Sequence, residues 1–205
     1  FVVFQSEATN LVAGDTNGCS DIFVHELSTG QTTRVSVTSA GEQANGRSEW
    51  SAISADGRYV AFQSAATNLV SGDTNNYADI FLHDRQTSQT IRISLGSSGN
   101  QAYGASSVPA ISADGRYVAF CSSAGNLVGG DTNGVSDVFV RDWQAGQTTR
   151  VSVASGGTQG NLDSCRAVIS GDGRYVAFSS YASNLVSGDT NNSLDIFVHD
   201  RTPGE

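Results

Sequence analysis

Apolar residues in this chain gather in short clusters, such as Tyr117-Val118-Ala119-Phe120 and Val138-Phe139-Val140, between stretches rich in Gly, Asn, Asp, Ser and Thr. No segment shows helical periodicity, and short apolar runs bounded by turn residues read as strands. The clusters recur. Tyr59-Val60-Ala61-Phe62 returns at Tyr117 and at Tyr175 in steps of 58 residues, with Phe1-Val2-Val3-Phe4 as a degenerate first copy. The chain therefore divides into repeats 1–58, 59–116 and 117–174 and a partial copy, 175–205. The second and fourth copies agree at 21 of their first 31 positions, so the copies share one backbone.

Each repeat predicts four strands. The first lies around Ala110-Ile111-Ser112 and ends at Ala113-Asp114-Gly115, a hairpin signal because Gly accepts positive φ cheaply. The second, Tyr117 to Cys121, and the third, Asp137 to Arg141, are apolar on both sides of the pleat and so predict sheets covered on both faces. The fourth, Thr149 to Val153, alternates, and its Arg and Ser suit an outer edge where charge discourages pairing. Four-stranded units of this length cannot bury their faces alone and must stack on one another. The expected fold is all-β: a β-propeller of four-stranded antiparallel blades in one region, 1–205, with about three and a half blades. A tandem array of sandwiches is the alternative, for which 58 residues is short. The chain opens at a second strand and closes after a third, so its two ends do not complete one blade, and a fragment of a longer chain is expected.

Composition narrows the partners. The formal net charge is −9, and the eleven basic residues, all Arg, are spread along the chain, which argues against nucleic acid. No apolar run approaches the ~20 residues of a membrane-spanning helix, so insertion is not expected. Cys19, Cys121 and Cys165 occupy three different places in the repeat and are read as incidental small residues.

Ile-Ser-Ala-Asp-Gly-Arg-Tyr-Val-Ala-Phe (Ile53 to Phe62, Ile111 to Phe120) resembles the TolB-like, or WD40-like, β-propeller repeat. So do Asp-Ile-Phe-Val-His-Asp (Asp195 to Asp200) and Thr-Thr-Arg-Val-Ser-Val (Thr32 to Val37). The chain departs from that pattern by Ala in place of the Pro before Asp-Gly and by the insertion Asn68 to Asn75. The resemblance implies a binding scaffold of a bacterial exported protein, periplasmic, on the cell surface or extracellular. A second implied reading is the propeller part of a carbohydrate-active lyase or hydrolase, or of a serine peptidase.

Strand alternation places the loops. First-to-second and third-to-fourth connections share one rim and are short; Ala65 to Ala78 and Gly96 to Ser107 share the other and are long. Long loops on a rigid scaffold are where binding is expected, here of protein or carbohydrate. Their most regular motif is Gly-Asp-Thr-Asn-x-x-x-Asp. It supplies Asp15, Asn17 and Asp21; Asp73, Asn75 and Asp79; Asp131, Asn133 and Asp137; and Asp189, Asn191 and Asp195. Alternating oxygen donors with a later carboxylate suit Ca²⁺, one ion per repeat, although backbone and water oxygens would have to complete the shell. The competing reading is Asx-turns that fold the loop. Asn10, Asn68, Asn126 and Asn184 are expected to fold the same loops.

His25, His83 and His199 share one repeat position with Arg141. That position lies on the third strand, about two spacings of ~4.8 Å beyond the innermost strand, too far out for a shared central metal. No nucleophile elbow occurs, and Asp56, Asp114 and Asp172 are explained by their hairpins, so no catalytic residue is assigned. Single-copy residues are Trp50, Trp143, Tyr103, Tyr181, Glu49 and Asp163, of which Trp50, Tyr103 and Asp163 fall near the long fourth-to-first loops.

Overall fold

A computed structural model describes residues 1–202. Among them there is no helix, and fourteen strands form four antiparallel sheets in which spatial order follows chain order. Blade 1 is β1 (Val2–Ser6), β2 (Asp21–Glu26) and β3 (Gln31–Arg34). Blade 2 is β4 (Ser48–Ile53), β5 (Tyr59–Ser64), β6 (Asp79–Asp84) and β7 (Gln89–Arg92). Blade 3 is β8 (Ser106–Ile111), β9 (Tyr117–Ser122), β10 (Asp137–Asp142) and β11 (Gln147–Arg150). Blade 4 is β12 (Ser164–Ile169), β13 (Tyr175–Ser180) and β14 (Asp195–Asp200). The first strands β4, β8 and β12 touch their counterparts in the next blade, so they line the axis and the fourth strands lie outside.

The central strands are apolar throughout because each face of a blade packs on a different neighbour. Phe81 points toward blade 1, while Ile80 and Leu82 point toward blade 3. Blade 3 repeats this, with Phe139 on one side and Val138 and Val140 on the other. Each buried Phe, Leu or Ile contributes about 1.5–3 kcal/mol. Within each sheet one Phe pair stacks across the two central strands: Phe4–Phe23, Phe62–Phe81, Phe120–Phe139 and Phe178–Phe197, with centroids 5.8 to 6.0 Å apart.

The Asp-Gly hairpins do more than turn. Gly115 has φ 75°, and a Cβ placed there would lie 2.2 Å from the ring of Tyr59 in the preceding blade. Glycine therefore meets two demands at once, a left-handed backbone and an aromatic ring against it. Ala55 N–H donates to Ala113 O and Ala113 N–H to Gly171 O, so successive hairpins are also tied to each other.

Three expectations are corrected. The outer strand is shorter and earlier than Thr149 to Val153: it spans Gln147–Arg150, and Val153 turns away to bridge Gln159. Its Arg150 and Ser152 are not edge protection, for both are turned inward onto the carboxylate of Asp137. Finally, Cys121 and Cys165 are not incidental. They form a disulfide between β9 and β12, with Cα atoms 5.2 Å apart, because the end of the second strand in one blade lies against the inner strand of the next. Cys19 is free.

Candidate binding face

The long loops bring together the three polar residues of each Asp-Thr-Asn motif. Asn75 Nδ2 donates to Asp79 Oδ2 (2.9 Å) and to Ala102 O (3.1 Å), while Asn75 Oδ1 accepts from Tyr77 N–H (3.0 Å), closing an Asx-turn. Asn133 repeats the bond to Asp137 at 2.9 Å, Asn17 that to Asp21 at 3.2 Å, and Asn191 that to Asp195 at 3.0 Å. The later carboxylate starts the third strand and is fully buried at Asp21, Asp79 and Asp137. Its other oxygen accepts from a serine beyond the fourth strand: Ser36 (2.6 Å), Ser94 (2.5 Å) and Ser152 (2.5 Å).

A cation stands between the two carboxylates of the first three motifs, and it belongs to the chain. The Arg92 guanidinium lies 3.3 Å from Asp73 and 3.6 Å from Asp79. Arg34 lies 3.5 Å from Asp15 and 3.4 Å from Asp21, and Arg150 lies 2.9 Å from Asp131 and 3.4 Å from Asp137. Gln101 Oε1 accepts from Arg92 at 2.6 Å, and Gln43 donates to Asp15 at 3.0 Å. Burial pushes the carboxyl groups of Asp73, Asp79 and Asp131 up, against the pull of these arginines. In the fourth motif Asp195 accepts from Asn191, and no arginine pairs with it or with Asp189 among the described residues. Among the described residues no three His, Cys, Asp or Glu side chains converge as a metal set.

Three of the four recurring asparagines, Asn68, Asn126 and Asn184, fold the loops as expected, and Asn10 makes no such bond among the described residues. Asn68 Oδ1 accepts from Asn45 N–H and its Nδ2 donates to Gln43 O; Asn126 and Asn184 do the same with Tyr103, Gln101, Asn161 and Gln159. The histidine position faces the preceding blade rather than the axis. His83 Nδ1 lies 2.9 Å from Thr90 Oγ1, which donates to Val37 O of the preceding loop. Arg141, in its place in blade 3, donates to Leu95 O and Gly96 O. Burial pulls the His83 pKa down to about 4.

Of the single-copy residues, Trp143 is structural: it packs on Tyr59 at 5.7 Å, and its Nε1–H donates to Gly115 O. Asp163 is held by Ser136 N–H at 2.8 Å, and Glu49 pairs with Arg47 at 2.6 Å. Trp50, Tyr77, Tyr103 and Tyr181, in contrast, all expose their rings on or near the long-loop side. Trp50 sits at a β-bulge of the inner strand with φ 47°, as do Val108 and Arg166 with φ 52° each. A bulge with a left-handed non-glycine residue re-aims its side chain at some cost in strain. Arg166 was not among the expected residues. Its signal is that the inner strands read Ser-Glu-Trp-Ser-Ala-Ile, Ser-Ser-Val-Pro-Ala-Ile and Ser-Cys-Arg-Ala-Val-Ile, whereas the neighbouring second strands hardly vary.

No family model matches the chain, and no curated protein matches it. Solved structures do. TolB from Acinetobacter baumannii aligns at TM-score 0.55 and 19% identity over 94% of this chain and 38% of its own. The putative TolB from Agrobacterium tumefaciens aligns at TM-score 0.57 and 18% identity over 92% of this chain and 55% of its own. The tricorn protease aligns at TM-score 0.52 and 14% identity over 89% of this chain and 15% of its own. The chain thus spans well under two thirds of each of these proteins, and at such identities the likeness shows the fold: an all-β propeller like that of TolB.

Proposed function

We propose that this chain is a non-enzymatic binding scaffold whose ligand face is the long-loop rim, with the adjoining bulges of the inner strands. One observation supports this above the others: the repeat diverges where the surface is exposed. Trp50, Val108 and Arg166 hold one repeat position on the inner-strand bulges, and on the loops Tyr77, Tyr103 and Tyr181 stand where other copies carry Cys, Val, Ser, Asn, Glu or Ala. Exposed aromatic rings beside a guanidinium suit a protein or carbohydrate partner. The Cys121–Cys165 disulfide supports export to an oxidising compartment, in keeping with the TolB-like resemblance. The test is binding of the chain to arrayed glycans and to envelope proteins, repeated with Trp50→Ala and Tyr103→Ala. Loss of binding in either variant supports the rim. Binding that survives both but fails in Arg58→Ala, on the short-loop side, overturns it.

A second reading is that the region serves a peptidase, since the tricorn protease and a prolyl endopeptidase are among the solved structures sharing the fold. It predicts peptide capture by the isolated chain without cleavage, and needs a catalytic domain on the same protein.

For the Asp-Thr-Asn loops the geometry supports an internal cation. Arg34, Arg92 and Arg150 each already offset one charge of a carboxylate pair, so Ca²⁺ would have to displace or join a guanidinium there. The fourth loop, Asp189, Asn191 and Asp195, is where calcium has the fewest competitors among the described residues. A calcium-selective rise in melting temperature that is lost in Asp195→Asn supports calcium at that loop. No shift in a folded sample removes calcium from the account.

A further inference from the structure

The places where the long loops of one blade meet those of the next are built alike but differ in what they turn outward. Between blades 1 and 2 the loops expose Glu7, Glu42 and Arg47, and between blades 3 and 4 they expose Asp163. Between blades 2 and 3, the loops 65–78, 96–107 and 123–136 contain only two charged residues, Asp73 and Asp131. Their side chains are 2% and 4% exposed, each set against a buried arginine, Arg92 at 3.3 Å and Arg150 at 2.9 Å. In a chain of formal charge −9, this stretch of rim shows solvent almost no charge. It presents Ser, Thr, Asn, Gln, Gly and a few small apolar side chains around two aromatic rings. Blades 2 and 3 each have a neighbour packed on both sides, so this surface owes nothing to the first or last blade.

The two rings are Tyr77, 48% exposed, and Tyr103, 70% exposed, and they stand on adjoining segments. Asn75 Nδ2 donates to Ala102 O at 3.1 Å, and Ser106 N–H donates to Ala78 O at 2.8 Å. Segment 75–78 is thus pinned to segment 102–106 at both ends, with one tyrosine on each side of the clamp. Each ring also rises from a fixed backbone: Tyr77 N–H donates to Asn75 Oδ1 at 3.0 Å, and Tyr103 N–H to Asn126 Oδ1 at 2.9 Å. The Ser123 hydroxyl lies so close to Gly104 that a Cβ there would come within 2.8 Å of it, and the Asn76 amide beside Tyr77 is exposed. No other boundary carries both rings, because the matching pairs are Cys19 with Asn45 and Val135 with Asn161.

We propose that Tyr77 and Tyr103 form a subsite for an uncharged saccharide. This rests on the rim being a binding face and names what that face takes. The ring hydrogens of a pyranose carry partial positive charge, which suits the negative face of an aromatic ring, and its hydroxyls suit amide and hydroxyl side chains. A neutral sugar brings no charge, and this part of the rim offers none to meet one. A protein partner fits less well, because its surface brings Lys, Arg, Asp and Glu whose charges this patch would desolvate without pairing. The two segments are pinned before any ligand arrives, so little ordering opposes binding. One ligand per chain is expected, since the pair of rings occurs once.

Titration calorimetry of the chain tests the proposal, with hexasaccharides of glucose, mannose, galactose and N-acetylglucosamine, and with oligogalacturonate as the charged counterpart. The expected result is one site per chain for at least one neutral sugar and none for oligogalacturonate. Its affinity should not change between low and high salt, because no charges are paired. Tyr77→Ser and Tyr103→Asn install residues that other copies hold at these positions, so the backbone accommodates both, and melting curves check it. Each should weaken binding at least ~10-fold by removing a ring from the contact, whereas Tyr103→Trp should retain it. A folded chain that binds none of the neutral sugars overturns the saccharide; the rim still stands as a binding face if an envelope protein binds and is lost in Tyr103→Asn. Sugar binding that survives both tyrosine changes but fails in Trp50→Ala overturns this subsite and leaves the rim reading intact. Binding of oligogalacturonate alone, weakened by salt, overturns the neutral class.

Discussion

The two rims of the propeller are built from the same repeat yet differ in what the repeat leaves free. On the short-loop rim blades 2, 3 and 4 all do the same thing. Arg58, Arg116 and Arg174 pair with Asp84, Asp142 and Asp200 at 2.7 to 2.8 Å and lie over Tyr59, Tyr117 and Tyr175. The guanidinium holds the Asp84 carboxyl far below the ordinary range, and that of Asp200 at about 2. On the long-loop rim an equally regular buried network of Asp, Asn, Arg and Ser supports a surface that changes from copy to copy, with Tyr77, Tyr103 and Trp50 exposed above it. Repetition marks what holds the blades together. Divergence on a repeated base is what the proposed binding face rests on.

The most damaging way to probe this division is to remove the buried cation of one loop. Arg92→Met leaves Asp79 fully buried without its countercharge, and truncating one partner of such a pair costs about 3–5 kcal/mol. Denaturant unfolding of the variant should show that loss. The raised carboxyl of Asp79 adds a sign. An acid pKa higher in the folded state than in the unfolded one means stability that is present at low pH and lost as pH rises through the folded value. The deficit of Arg92→Met should therefore shrink as the pH is lowered toward the carboxyl range. A variant as stable as the parent at neutral pH would show that the network is decoration.

Next in size is the short-loop rim. Gly115→Ala forces a left-handed alanine and drives its Cβ into the ring of Tyr59, for about 2–3 kcal/mol together. The same change at Gly14, where φ is 75° and nothing lies within 4 Å, should cost only the backbone part, roughly 1 kcal/mol. Equal losses at the two sites would remove the Tyr–Gly contact from the account.

How much of this was legible beforehand follows from where each interaction runs along the chain. The fold could be read because identical apolar clusters returned at one fixed spacing and Asp-Gly marked each inner hairpin. The loop motif was legible as a set, but its arginine was not. Arg150 follows Asp137 by a strand and a turn, and in a sequence it looks like edge-strand charge; only the sheet register sets Phe139 opposite Arg150 and turns the guanidinium back. The disulfide escaped for the same kind of reason. Cys121 and Cys165 hold different repeat positions that meet only once two blades are stacked. Contacts within one strand show as patterns, whereas contacts between blades require the stacking itself.

A smaller effect separates His83 from Arg141, the two occupants of one repeat position. His83 is buried neutral beside Thr90, with its pKa drawn down to about 4 by burial. Below the ordinary histidine range the unfolded chain takes up a proton that the folded chain refuses, so stability falls as pH drops from about 6.5 toward 4, by about 1–2 kcal/mol at pH ~5. Arg141 keeps its charge through that window and reaches the carbonyls of Leu95 and Gly96 instead. His83→Gln should flatten the fall between neutral pH and ~5 without steepening it elsewhere in that range. An unchanged slope would assign the acid sensitivity to other groups, His199 first among them.

The smallest effect on stability should come from the residue with the largest proposed role in binding. Trp50 is exposed, and its backbone N–H, not its indole, donates to Gln5 Oε1 at 3.1 Å. Trp50→Ala leaves that bond in place and removes only the covered part of a side chain that is 57% exposed, so unfolding should move by less than about 1 kcal/mol. Trp50→Gly should be slightly stabilising if the left-handed backbone at φ 47° is strained by a bulky residue, because glycine relieves it. A ring kept on a strained bulge without stabilising the fold is what a recognition residue requires. If Trp50→Ala instead unfolded the chain as readily as Gly115→Ala, the inner strand would belong with the structural rim, and the division drawn between the two rims would fail at its most exposed point.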